Sequence, residues 1–491
     1  MQFKGRSVFL VVMITMLATV LITLIVTDRL MQSSEPKPAV VAAAASPGKS
    51  NYSLSSDELT KLNAVMELIE TKYYSKVERE DVFNGAISGM MAALNDPYSV
   101  YMEENVARHF SESIEGSFTG IGAEVTLENS RVVVVSPIKG SPAEKSGLLA
   151  KDIILSVNGE ALDGLSLQEA VSKIRGPKGS KAKLSVQRSG LSEPIQLVLV
   201  RDDIDIETVY AELQPDGIGV IEIRQFSMHT GERFAEELTK LESQGMKGLV
   251  IDVRNNPGGV LPVVVDIAQH MMKPNDIVVQ VEDRDGNREQ TRAEGGELKT
   301  YPISVLINKG SASASEILAG ALQESSGAYV MGEQSFGKGT VQVSYNKALG
   351  DGSLLKMTIA KWLTPKGNWI HEKGIQPNKV ITPPELYTVA RIAYKQPLTK
   401  DTISEQNRSA QIMLNGLGFE TGRADGYFDD KTEQAVIQFQ KKHSLKASGI
   451  IDENTTAALE KSVIAWIQDK NNDLQLQAAI DWIQQARAGK K

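Results

Sequence analysis

At 491 residues the chain is too long for one hydrophobic core, and about 150 residues per domain implies roughly three folded parts. With 41% hydrophobic and 23% charged residues it has the composition of a folded globular protein, and a formal charge of −8 leaves no overall positive field for a phosphate backbone, so nucleic acid is not an expected partner. The absence of cysteine excludes disulfides, thiolate catalysis and cysteine-bound metal.

Lys4 and Arg6 precede the uncharged run "VFLVVMITMLATVLITLIV", residues 8–26. At about 1.5 Å per residue it spans roughly the 30 Å hydrocarbon core, and the basic flank comes first. The spacing predicts a membrane anchor over 1–30, single-pass in the cell membrane, with the bulk of the chain extracytoplasmic. A cleavable signal is the competing reading, because small residues occur at "VVAAAASPG", 40–48, although these lie far from the apolar run. Residues 31–50, rich in Pro, Ala and Ser, read as a flexible linker. A helical region follows over 51–110, with Leu59, Leu62, Val65, Met66 and Ile69 on one stripe. A homodimer contact through 55–109 and an intramolecular core role fit that stripe equally well. An Asp-Pro turn in "LNDPYSVYM", 94–102, breaks the helical pattern.

Residues 111–202 become strand-like, and the segment "GSPAEKSGLLAKDIILSVNG" resembles a PDZ domain over about 85 residues. That resemblance implies capture of extended chain ends by strand addition, with backbone amides holding the terminal carboxylate. By position the amides are those of Gly120, Ile121 and Gly122 in "TGIGAEV". Arg175, in "KIRG", either reports ligand occupancy to a neighbouring domain or is a solvated arginine.

Over 203–390 strands and helices alternate, as in an α/β core: "DGIGVIEIRQFS" is a strand, "GERFAEELTKLESQG" an amphipathic helix and "GLVIDVRNN" a buried strand. The step from strand to helix recurs at "PISVLINKGSASASEILAGAL". There Ser313 and Glu316 form a Ser-x-x-Glu capping box, so helix capping is the first reading of the serine. A second element is "GEQSFGKGTVQ", 332–342. It is not a phosphate-binding loop, because Gly339 and not Ser or Thr follows Lys338. With five scattered histidines, no His-Glu-x-x-His and no cysteine, a hydrolase here needs another route, of which a Ser-Lys pair is one, and no cofactor or metal is expected.

The PDZ-like segment, "NKGSASASEILAGALQE", "GEQSFGKGTVQ", "RNNPGG" at 254–259 and "LTPKGNWIHEKGIQP" at 363–377 together resemble the carboxyl-terminal processing peptidases, or tail-specific proteases, over about residues 50–385. The resemblance implies a serine endopeptidase acting on unfolded proteins or proteins with exposed C-termini. Its nucleophile would be Ser313, its general base Lys338, and Gln342 would orient the lysine. Ser311 and Ser315 then remain structural. A helix N-terminus favours a developing oxyanion, so the Ala314 amide is an expected donor, with a second from the Gly258–Gly259 turn. Lys338 must be neutral, which requires its pKa to fall from about 10.4 toward 7 or 8, a perturbation of roughly 4 kcal/mol that burial can supply.

Residues 391–406 read as a linker. From 407 to 462 the pattern Gly-x-x-Asp-x-x-Thr-x-x-Ala occurs at Gly426, Asp429, Thr432 and Ala435, and again at Gly449, Asp452, Thr455 and Ala458. With "SAQIMLNGLGF" it resembles the small helical peptidoglycan-binding domain, which implies peptidoglycan as a partner. Residues 463–491 form an amphipathic helical tail of unassigned role. The expected fold is therefore multidomain α/β and α+β. Three functions compete: a membrane-anchored serine peptidase gated by its PDZ domain, a non-catalytic envelope scaffold, and a cell-wall hydrolase for which no Cys/His or metal constellation is present.

Overall fold

The computed structural model describes residues 53–489 apart from 129, 190, 192, 347 and 348. The expected membrane segment and the tether after it lie outside the described residues, and no helix among the described residues is long and apolar enough to cross a membrane. The chain divides into two compact units, Met1–Val82 and Phe83–Lys491.

In the first unit, helix α1, Ser56–Lys72, opens on a capping box in which the Ser55 amide donates to the Glu58 carboxylate at 2.7 Å. None of its residues is buried, and Leu59, Leu62 and Val65 of the predicted stripe are about half exposed, so among the described residues the stripe serves no intramolecular core. Helix α2, Arg79–Ala92, runs across the division and buries Met91 alone.

In the second unit, strand β1, Val100–Met102, and helix α3, Glu104–Glu115, lead into β2, Ser117–Gly120. β2 pairs antiparallel with β9, Asp202–Asp205, so one two-stranded ribbon carries the chain into and out of the PDZ-like part. Between them lie β3 (Ala123–Glu128), β4 (Arg131–Pro137), α4 (Pro142–Lys145), β5 (Ile153–Val157), β6 (Glu160–Ala161), α5 (Leu167–Ile174), β7 (Lys181–Gln187) and β8 (Ile195–Val200). The sheet order is β3-β4-β5-β7-β8, which leaves β3 at an edge. Alternate residues such as Val132 and Val134 of β4, and Leu184 and Val186 of β7, point into a separate core shared with Leu148, Ile154 and Leu199.

The larger sheet contains β10 (Val209–Leu213), β11 (Ile218–Ile223), β12 (Gly248–Asp252), β15 (Ile303–Ile307), β16 (Tyr329–Gly332) and β19 (Lys379–Val380), in the order β10-β11-β12-β15-β16-β19. Only β10 runs antiparallel. Parallel strands need cover on both faces, which is why "GLVID" and "ISVLI" are mostly apolar and buried on both sides of the strand, Asp252 standing at the strand end. One face takes Leu249, Ile251 and Val305 against helices α6 (Thr230–Ser243), α7 (Leu261–Gln269) and α8 (Ala314–Ala321). A second sheet sets β13 (Ile277–Asp283) between β14 (Arg288–Arg292) and the long β18 (Leu354–Leu363), which also pairs with β1 and with β17 (Thr340–Tyr345).

The small helical domain consists of α9 (Glu405–Gly416), α10 (Asp430–Lys442) and α11 (Glu453–Gln468). Its sequence repeat is a physical one. Asp429 caps α10 by accepting from the Thr432 amide at 2.9 Å, and Asp452 caps α11 from Thr455 at 2.8 Å. Buried Gln411 and Gln440 each accept from the glycine turn that follows, Gly426 or Gly449, and donate to Thr432 or Thr455. The stretch 391–406, expected as a linker, instead packs Ile392 and Leu398 into this domain's core. The tail forms α12, Leu474–Ala488, and returns to the peptidase sheet, where Leu476, Ala479, Ile480 and Ile483 cover Ile218, Val220, Val250, Leu306 and Met331. The role left open by the sequence is thus to close the second face of the sheet.

Candidate active site

Ser313 ends the loop after β15 and stands at the N-terminus of α8 with φ 55° and ψ −113°, a conformation that costs a non-glycine residue of order 1–3 kcal/mol. Such strain at a turn from strand to helix lifts a side chain clear of its own backbone. Both arms of the capping box are present: the Ser313 amide donates to the Glu316 carboxylate at 2.8 Å, and the Glu316 amide faces the Ser313 side chain while also donating to the Ser313 carbonyl at 2.9 Å. No hydrogen bond among the described residues takes the proton of the Ser313 hydroxyl.

The flanking serines are fully committed. Ser311 Oγ donates to the Val253 carbonyl at 2.7 Å, and Ser315 Oγ donates to the Asn256 carbonyl at 2.8 Å. With the Ala312 amide, which also reaches the Asn256 carbonyl at 3.0 Å, they stitch the serine turn to "RNNPGG". Gly258 is thereby pressed against the nucleophile turn: a Cβ there would lie 2.9 Å from Ser313 Cβ and 3.0 Å from the Ala314 amide nitrogen. The predicted oxyanion donors separate at this point. The Gly258 amide already donates to Asn256 Oδ1 at 2.9 Å, so Gly258 is a wall of the site and not a free donor here. The amides of Gly259 and Ala314 enter no hydrogen bond among the described residues.

Lys338 lies on a loop held by the same glutamate. Fully buried Glu316 accepts from Ser335 Oγ (2.6 Å), the Gly337 amide (2.6 Å) and the Lys338 amide (2.8 Å) in addition to Ser313. Burial raises its pKa against the opposing effect of these donors. The Lys338 carbonyl accepts from Trp362 Nε1 at 2.8 Å, and that of Gly339 from Trp369 Nε1 at 2.9 Å. A Cβ on Gly339 would come within 2.7 Å of the His371 amide nitrogen, which explains the glycine after the lysine. Burial, reinforced by the charge of Lys356, lowers the Lys338 pKa to about 8, against opposing effects of Asp96 and Glu316. Its Nζ sits 4.9 Å above the ring of Tyr98.

Gln342 was expected to hold the lysine. It lies on β17, just after a register shift, and its Nε2 donates to Thr340 Oγ1 (2.9 Å) and Thr358 Oγ1 (3.0 Å). Among the described residues, no hydrogen bond joins it to Lys338 or joins Lys338 to Ser313. Sequence reasoning missed Glu316 as the tie between the two loops and missed Asp96 and Tyr98, taken only as a turn. The dense polar run "NDPYS" was the available signal for the latter.

In the PDZ-like part, the Ile121 carbonyl accepts from the Ala143 amide at 2.8 Å and the Gly122 carbonyl from Ile138 at 2.9 Å. No hydrogen bond among the described residues takes the Ile121 or Gly122 amide, whereas Gly120 belongs to β2 and its ladder with β9. Arg175 is not a solvated arginine: it pairs with Glu112 of α3 at 2.7 Å and lies 4.9 Å over Phe118.

A doubly covered sheet that presents a strained serine at a helix N-terminus, on a turn tied through Glu316 to the loop of Lys338, belongs with the α/β serine peptidases; here it carries a PDZ domain and a small helical domain. Family models match in the same order: "Activating protease CtpB N-terminal domain" over 20–106, PDZ domain over 133–188, Peptidase family S41 over 217–381, and a peptidoglycan binding domain over 404–459. The chain is 43% identical over 454 residues to carboxy-terminal processing protease CtpB of Bacillus subtilis, covering 92% of this chain and 93% of that protein. It is 40% identical over 438 residues to CtpA of the same organism, covering 88% and 92%. A solved photosystem II D1 C-terminal processing protease is 30% identical, spans 67% of this chain and 94% of its own, and superposes with a TM-score of 0.39. The chain belongs to the carboxy-terminal processing serine proteases of peptidase family S41.

Proposed function

We propose that this chain is a membrane-anchored, extracytoplasmic endopeptidase in which Ser313 attacks the scissile carbonyl and Lys338 takes its proton. The carrying observation is the strained Ser313, whose hydroxyl proton is donated to no partner among the described residues, tied through Glu316 to a lysine whose pKa is lowered to about 8. The amides of Ala314 and Gly259 would receive the oxyanion, the former at the positive end of α8. Gln342, now shared between two threonines, would turn its amide oxygen to Lys338 when substrate closes the pair; hydrogen bonds of this kind tighten in the substrate complex.

Substrate selection is assigned to the PDZ domain. A C-terminal segment would add to the free edge of β3, its carboxylate held by the Ile121 and Gly122 amides with Gly120 at the loop entrance. The Arg175–Glu112 pair, at the root of that domain, is suited to reporting occupancy and shifting the enzyme between resting and engaged forms. The helical domain would hold the enzyme to peptidoglycan, the apolar segment 8–26 would anchor it in the membrane, and the exposed stripe of α1 would contribute to a homodimer.

The test uses the purified full-length chain with an unstructured protein whose apolar C-terminus is free or amidated, read by mass spectrometry. Loss of cleavage in both Ser313→Ala and Lys338→Ala is expected, together with slower cleavage of the amidated substrate by the wild type. Cleavage that survives in Ser313→Ala would return this serine to a capping role.

A further inference from the structure

Arg254 opens the "RNNPGG" loop and is gripped from two sides. From its own strand end, Asp252 receives Nε at 2.9 and 3.0 Å and Nη2 at 2.6 Å. From the tail, more than two hundred residues further along, Asp473 receives Nη1 at 2.9 Å and Nη2 at 2.6 Å, and Gln475 Oε1 receives Nη1 at 2.9 Å. The three charged side chains are each about 15% exposed. Burial pushes the Asp473 carboxyl up, but the Arg254 hydrogen bonds and charge hold it below its usual range. Asp473 also caps α12 through the Leu476 amide at 3.0 Å, and Gln475 Nε2 donates to the Ile381 carbonyl at 2.7 Å.

This clamp exceeds what docking requires. Asp252 already neutralises Arg254, and α12 is held to the sheet by four apolar side chains. A second buried carboxylate carries a desolvation penalty, so its contribution is better sought in geometry than in stability. The geometry lies directly downstream. Asn255 has φ 57°, a left-handed turn conformation that asparagine tolerates and that sets the direction of the loop. On its far side Asn256 is fully buried, is stapled by Ser315 and Ala312, and orders Gly258 against Ser313. On its near side the fixtures are Arg254 and Asn308, whose Oδ1 accepts the Asn255 amide at 2.8 Å and whose Nδ2 donates to Asn255 Oδ1 at 2.9 Å.

We propose that Asp473 and Gln475 are positioning residues for peptide cleavage: through Arg254 they fix the Asn255–Gly259 loop against Ser313, so the peptidase site is complete only when the segment after the helical domain is docked. The proposal rests on Ser313 being the nucleophile.

The experiment follows fluorophosphonate labelling of the full-length protein, with the modified residue located by mass spectrometry, beside kcat and KM for an unstructured protein and thermal unfolding. Asp473→Asn is expected to slow labelling and kcat by about 10- to 100-fold, with KM within about twofold of wild type, at temperatures where it is fully folded. Asp473→Glu restores most of the rate, and Gln475→Ala gives a smaller loss in the same direction. A folded Asp473→Asn enzyme that labels and turns over like wild type overturns the proposal even if its unfolding temperature falls. Should Asp473→Asn fail to fold, Gln475→Ala labelling at the wild-type rate overturns it. Wild-type labelling at a residue other than Ser313 overturns the nucleophile assignment itself and with it the reason for the clamp.

Discussion

Lys338 can accept a proton only when neutral, and burial with the neighbouring Lys356 brings its pKa to about 8 while Asp96 pulls the other way. In the proposed reaction kcat/KM therefore climbs with pH through a limb near 8. The sign for each neighbour follows from its charge. Lys356→Met removes a cation that disfavours protonated Lys338, so the pKa rises and the limb moves to higher pH. Asp96→Asn removes an anion that favours protonation, so the limb moves to lower pH. A pH profile that stays fixed in both variants would exclude these groups as the tuning charges. The need for a depressed lysine was legible in the sequence, because a Ser-Lys pair demands it. Burial as its source was legible too, but the charges that adjust it were not: Lys356 comes from β18, and Asp96, which opposes the depression, lies some 240 residues upstream in what reads as an ordinary turn.

At the level of elements, three serines at alternate positions divide into two staples and one free hydroxyl. Ser311 and Ser315 hold the carbonyls of Val253 and Asn256, so Ser315→Ala removes one buried hydrogen bond, worth about 1–2 kcal/mol, from the loop that faces Ser313. A lower unfolding temperature together with a reduced kcat is expected; unchanged kcat would mean that the remaining bonds to Asn256 suffice. The capping box was readable because it spans four residues, and the strand-helix alternation because each period is local. Glu316 as the common holder of two loops was not readable, since Ser335, Gly337 and Lys338 come to it from about twenty residues away. The tail illustrates the same limit: its amphipathic period was clear, but no pattern within it names the sheet face it covers.

At the level of the whole molecule, the peptidase sheet depends on residues from the far end of the chain. Ile483 is fully buried against that sheet, and a Cβ on Gly248 would lie 2.3 Å from its Cγ2. Ile483→Ala should destabilise by about 2–5 kcal/mol, seen as a lower unfolding temperature of the peptidase itself. An unchanged transition would mean that α12 contributes no cover to the peptidase. The connection of this helix has a further consequence. The peptidase polypeptide leaves at Ile381 and resumes at Gln475, two points joined by a 2.7 Å hydrogen bond. The small helical module is thus an insert with adjacent ends, the arrangement in which whole domains are most readily gained or lost. A short bridge across that gap would yield a minimal enzyme that keeps its tail, whereas a stop codon after the catalytic motifs would not. Natural shortening of this lineage is therefore expected to proceed by internal deletion rather than by truncation.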